Sequence, residues 1–170
     1  MATSLITPDN DVVVAEILIA APPARVFEAI AKQTAQWWGH KGRYRLLESH
    51  SDVRRGGRWL SRGVGADGVE FKVEGEYLEV DAPRLLVHTW NPSYTNLSET
   101  VVRWELEPRE VRGLHSSGTH RVGTGTLLRV RHSGFAGHLE QGKSHLEGWR
   151  ASMDWLKDFV ETGKNYERRN

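Results

Sequence analysis

GGRWLSRGVGADGVEFKVEGEYLEVDAPRLLVHTW, residues 56–90, is the stretch on which the fold turns. Trp59 lies in a first apolar run. The turn-forming residues Gly63, Gly65, Ala66, Asp67 and Gly68 then lead into a second run, Val69 to Val80. Asp81-Ala82-Pro83 interrupts the pattern, because proline cannot donate to a strand ladder, and a third run follows from Arg84 to Trp90. Three consecutive strands joined by short turns make an antiparallel meander. One face of such a sheet must be covered by another element.

Outward from this block, Asp11–Ala20 (DVVVAEILIA) is rich in β-branched residues and reads as an earlier strand. Ala21-Pro22-Pro23 stops it, and proline suits the first turn of a helix, so Val26, Phe27 and Ile30 fall on one face of a short helix through about Lys32. A second helical piece ends near Trp37-Trp38-Gly39, with Gly39 as its left-handed cap. Tyr44–Glu48 reads as a strand and Ser49–Val53 as a weaker one. Ser98–Glu107 alternates, with Val102, Trp104 and Leu106 on one face against Arg103 and Glu105 on the other. Arg109–Thr124, containing Gly, Ser and His without periodicity, is expected to be an extended, mobile hairpin loop. In Gly125–Ser133, Leu128, Val130 and His132 oppose Leu127, Arg129 and Arg131.

The longest helix spans about Gly142–Thr162. Its apolar stripe is Leu146, Trp149, Met153, Leu156 and Val160, widened by Trp155 and Phe159 and closed by Gly163. The order strand, two short helices, about six strands and one long helix gives an α+β, helix-grip class. A curved antiparallel sheet of about seven strands wraps the C-terminal helix. Residues 1–170 form one domain, with its core at about 12–163, a frayed N-terminal segment and a charged tail.

Composition excludes several chemistries. With 23 basic and 22 acidic residues the net charge is +1, which gives neither nucleic acid nor an anionic membrane a basic surface to bind. There is no cysteine, hence no disulfide, thiolate metal site or thiol nucleophile. No apolar run approaches the ~18 residues of a membrane span, and the first residues do not read as a secretory signal. A cytoplasmic location is expected. Gly63-Val64-Gly65-Ala66-Asp67-Gly68 spells a dinucleotide fingerprint, but a strand follows it rather than a helix, so it reads as a hairpin turn. None of the eight histidines has the spacing of a metal site, and His115 and His120 merely share a loop. No cofactor, metal or catalytic residue is assigned. Ser61, Ser116 and Ser117 have no base beside them in sequence. Arg103, Glu105, Arg129 and Arg131 read as cross-strand charge pairs on a wet face.

Several segments carry a family resemblance. They are Ala21–Phe27 (APPARVF), Trp37-Trp38-Gly39, Gly56-Gly57-Arg58-Trp59, Gly75–Val80 (GEYLEV), Leu86–Trp90 (LVHTW), Gly125-Thr126 and His145–Trp149 (HLEGW). From Val14 to Gly163 the chain resembles the START-like (SRPBCC, birch-pollen-allergen-like) superfamily, in the branch of the C-terminal domain of the activator of the heat-shock-protein-90 ATPase. The resemblance implies a cavity between sheet and helix, with Trp37 and Trp38 near its mouth. It also makes His88 a departure, since related proteins usually carry an apolar or aromatic residue there.

The leading expectation is a binding protein for a hydrophobic or aromatic small molecule. Phe71, Trp90, Trp104, Trp149 and Met153 are its wall candidates, and His88 and His132 the polar groups that orient the ligand. An alternative is a protein-interaction or chaperone-cofactor-like module using the surface around Trp37-Trp38 and the 109–124 loop. A further alternative is a cavity enzyme of cyclase or dehydratase type, for which only an inward-facing His132 or His88 could serve as acid or base. A homodimer through the Asp11–Ala20 edge is also open.

Overall fold

The structure is a computed structural model that describes residues 1–114 and 120–165, without the side chains of 113–122. Nine strands form one antiparallel sheet: β1 (Thr3–Ile6), β2 (Val12–Ile19), β3 (Gly39–His40), β4 (Tyr44–Ser51), β5 (Arg58–Gly65), β6 (Glu70–Asp81), β7 (Leu85–Pro92), β8 (Thr100–Leu114) and β9 (His120–Ser133). Their order is β1-β2-β9-β8-β7-β6-β5-β4-β3. The meander expected from residues 56–90 is β5-β6-β7. The fingerprint-like glycines belong to it: Gly63 and Gly65 lie inside β5, and Gly68 takes φ +81° in the turn, where Asp67 accepts a hydrogen bond from the Val69 amide.

The sheet has two more strands than the seven expected. β3 is only two residues long and β1 only four, too short to display an alternating pattern. The N-terminal segment is therefore not frayed but an edge strand. It pairs with β2 from Thr3↔Glu16 to Ile6↔Val13, and the Ala2 amide donates to Asp154 on the final helix. β2 in turn lies between β9 and, along Val13–Glu16, β1. The expected loop at 109–124 is the other correction. β8 and β9 pair on from Arg109↔Gly125 to Leu114↔His120, with 115–119 outside the described residues. Backbone pairing in a hairpin needs no apolar alternation, which is why the sequence pattern gives no sign of it.

Two bulges, at Leu46/Glu48 against β5 and at Tyr77/Glu79 against β7, bend the sheet. Helices α1 (Pro23–Lys32) and α2 (Thr34–Trp37) lead from β2, next to one edge, to β3 at the other. Pro23 occupies the first turn of α1, whose Val26, Phe27 and Ile30 are buried. Trp38 is the C-cap of α2, and Gly39, two residues past the helix end with φ +128°, opens β3. Helix α3 (Leu139–Thr162) starts three residues earlier than the periodicity suggests, because Gly142 obscures its first turn. It ends at Gly163, which takes φ +73° and donates to the Phe159 carbonyl. Trp149, Met153, Trp155, Leu156 and Phe159 are its buried stripe. Lys157 ties α3 to β2 by donating to the Leu18 carbonyl at 2.8 Å.

Candidate functional site

The concave face of β4–β8 and the first half of α3 stand apart and enclose a cavity of about 470 Å³. That volume lies within the ~300–1,000 Å³ typical of small-molecule sites. Five of the seven tryptophans line it: Trp38, Trp59, Trp90, Trp104 and Trp149. Their rings form one connected set. Trp38–Trp149 centroids are 5.4 Å apart, Trp90–Trp149 5.6 Å, Trp59–Trp90 5.6 Å and Trp104–Trp149 5.2 Å, all tilted or edge-on as aromatic quadrupoles favour. Charged lining residues (Arg43, Asp67 and Glu70) are exposed and therefore belong to the rim.

Local backbone irregularities put these rings in place. Strict alternation from Tyr44 through Leu46 would turn Ser49 and Ser51 outward. The bulge at Leu46/Glu48 resets the phase, and all four line the cavity. Gly63 faces Phe71 across the ladder, and a Cβ there would lie 2.5 Å from the Phe71 ring. Gly75 does the same for Trp59: a Cβ would meet the indole Nε1 at 2.7 Å and the Thr89 carbonyl at 2.2 Å. Two large rings can thus lie flat over neighbouring strands only because those strands carry glycine opposite them.

Two of the histidines lock the wall. His88 donates from Nδ1 to the Thr89 carbonyl at 2.9 Å, since a carbonyl can only accept, and its Nε2 accepts the Trp104 indole N–H at 2.9 Å. His132 has the opposite tautomer. Its Nδ1 accepts the Trp149 indole N–H at 3.0 Å, and its Nε2 donates to Thr100 Oγ1 at 2.7 Å, whose own proton goes to the Trp90 carbonyl at 3.2 Å. Burial keeps both rings neutral. It pushes His88 down to about 4 and holds His132 well below the usual imidazole range, with the neighbouring His145 and His88 adding to the effect. His145 donates Nδ1–H to the Gln141 carbonyl and lines the cavity with its Nε2 unpartnered.

Of the seven residues singled out in the sequence, Phe71, His88, Trp90, Trp104 and Trp149 line the cavity. His132 and Met153 do not: both are fully buried behind it, His132 under Trp149 and Met153 in the apolar core. Neither His88 nor His132 has a free ring nitrogen, so the two groups expected to orient a ligand instead orient Trp104 and Trp149. The same saturation leaves neither of them free to act as an acid or base. Trp37, expected near the mouth, is buried and donates to the Ala29 carbonyl; only Trp38 reaches the cavity, its indole donating to Tyr44 Oη at 2.6 Å. Sequence reasoning did not place Trp59, Tyr44, Ser49, Ser61 or His145 in the site. Trp59 had a signal, since it shares a meander face with Gly75, and Ser61 alternates with Trp59 along β5; the inward turn of Ser49 depends on a bulge that no pattern announces. Cross-strand charge pairs form on the outer face as expected, Arg131–Glu105 at 3.2 Å and Arg129–Glu16 at 2.6 Å, while Arg103–Glu105 at 3.5 Å lies along β8.

A long C-terminal helix gripped by a curved antiparallel sheet, with an aromatic cavity between them, defines a START-like protein. Residues 20–161 match the family described as Activator of Hsp90 ATPase homolog 1-like protein, and the chain belongs to that family. Among solved structures, a protein from Rhodobacter sphaeroides superposes with a TM-score of 0.75 at 15% identity, covering 96% of this chain and 100% of that one. The AHSA1 protein from Silicibacter pomeroyi gives 0.69 at 24% identity, over 90% and 99% of the two chains. Protein CV1439 from Chromobacterium violaceum gives 0.68 at 24%, over 89% and 97%. These likenesses establish the fold alone. No curated protein matches the chain. Among the described residues no helix is long and apolar enough to cross a membrane.

Proposed function

We propose that this chain binds a small hydrophobic or aromatic molecule in the cavity between sheet and α3. The observation that carries the reading is the wall itself: five tryptophans around about 470 Å³, with the charged residues confined to the rim. Such a site binds by removing apolar ligand surface from water, at about 25 cal/mol per Å² before ordering costs. His88 and His132 have both ring nitrogens engaged, so the cyclase or dehydratase alternative would have to use His145, whose Nε2 is unpartnered on the cavity wall. The buried Trp37 weakens the interaction-module alternative, which needs that surface exposed.

Gly148 offers the test. It lies inside α3 and lines the cavity, and a Cβ there meets nothing within 4 Å. Gly148→Ala is expected to stabilise the fold by about 0.5–1 kcal/mol in urea unfolding, since glycine is the poorer helix former. Gly148→Leu is expected to fold normally but to fill the cavity. The neutral dye N-phenyl-1-naphthylamine should bind the unaltered chain saturably at one site, with enhanced emission, and lose this in Gly148→Leu. No saturable enhancement, or equal enhancement in the leucine variant, would refute the reading.

A further inference from the structure

The inward row of β4 and β5 contains a feature that packing does not account for. Ser49 and Ser61 are direct cross-strand partners, and their hydroxyls lie 2.9 Å apart. Both line the cavity; Ser61 is buried and Ser49 half-buried. On one side of the pair lies the row Leu46, Gly63 and Phe71, and on the other Ser51, Trp59 and Gly75. A β-branched apolar pair would suit this position better, since strand faces gain from packed cross-strand neighbours and a buried hydroxyl costs free energy without a full set of partners.

The pair contains two hydroxyl protons. One forms the bond between the two oxygens, and the other has no acceptor among the described residues. Both hydroxyls lie on the cavity wall, where an occupant can supply that acceptor. No charged side chain stands beside the pair, because Arg43, Asp67 and Glu70 are at the rim. An ionised group placed here would lose its hydration without gaining a counter-charge, whereas a neutral oxygen would gain a hydrogen bond.

We propose that the occupant is an uncharged aromatic molecule bearing an acceptor oxygen, a phenol or an aryl carbonyl. Its ring lies against Trp59 and Trp90, and its oxygen takes the free proton of the Ser49–Ser61 pair. This rests on the reading of the cavity as a ligand site and goes beyond it by assigning the class of ligand and the group that selects it.

Three probes of one ring system separate the two claims: naphthalene, 2-naphthol and 2-naphthoate, titrated at pH 7 by quenching of tryptophan emission. The unaltered chain is expected to bind 2-naphthol about tenfold more tightly than naphthalene, as one added hydrogen bond in a dry site provides. It is expected to bind 2-naphthoate more weakly than 2-naphthol. In the double variant Ser49→Ala/Ser61→Ala the two neutral probes should bind alike, with naphthalene affinity retained. Equal binding of the neutral probes by the unaltered chain, a preference that survives in the double variant, or tightest binding of naphthoate would each overturn the anchor while leaving the cavity reading in place. Failure of all three probes together with N-phenyl-1-naphthylamine would overturn both. Should the double variant not fold, Ser61→Ala alone must still narrow the preference for 2-naphthol, and an unchanged preference would refute the anchor.

Discussion

Between pH 7 and pH 5 the folded state is expected to lose about 2 kcal/mol of stability through His88 alone. In the unfolded chain this imidazole takes up a proton near 6.5, the ordinary histidine value. In the folded chain burial holds it neutral down to about 4. The unfolded state therefore binds the extra proton throughout the interval, and stability falls as the pH falls through it. His132 acts in the same direction, being buried and flanked by His145 and His88, and His145 adds to it. Protonation cannot be absorbed locally, because both nitrogens of His88 and of His132 are already committed and the Nδ1 of His132 would have to give up the Trp149 indole. Urea unfolding at pH 7, 6 and 5, followed by far-ultraviolet circular dichroism, measures the effect. His88→Phe, the kind of side chain the family resemblance implies at this position, should flatten the slope by one proton. A stability that stays constant from pH 7 to 5 would show that these rings accept protons in the folded state.

Replacing His132 by leucine is expected to cost about 2–4 kcal/mol at neutral pH. The side chain is fully buried, and it accepts from Trp149 on α3 while donating to Thr100 on β8. Leucine fills a similar space but leaves the Trp149 N–H without a partner, and an orphaned buried donor costs more than the bond it formed. The diagnosis can be made by a double-mutant cycle. In a Trp149→Phe background there is no N–H to orphan, so His132→Leu should cost less, by about 1 kcal/mol or more. Additive costs in urea denaturation would mean that the two rings touch without holding each other.

The architecture was legible in the sequence because its long elements are strongly patterned. The alternation of Val102, Trp104 and Leu106 fixes the inward face of β8, and the stripe from Leu146 to Val160 fixes the face of α3. Short elements carry no such information: Thr3–Ile6 and Gly39–His40 are strands because of what they pair with. In the site, the aromatic walls could be named from their rows, whereas Ser49 became an inward residue through one bulge at Leu46/Glu48. The histidines illustrate a different limit. Their apolar surroundings were apparent from Leu86, Trp90, Leu128 and Val130. Whether a ring nitrogen points at a ligand or at an indole depends on ångström-scale placement, and here His88 and His132 both point at indoles.

The spacing of the indoles has an optical consequence. With Trp38, Trp59, Trp90, Trp104 and Trp149 linked by centroid separations of 5.2 to 6.2 Å, excitation absorbed by one ring passes among them before it is emitted. The five chromophores act as one antenna, and its coupled transitions should appear as an intense signed band in near-ultraviolet circular dichroism. A single molecule lodged against any one of these rings would then darken the emission of all of them. The protein thus carries an intrinsic reporter of whether its own cavity is filled.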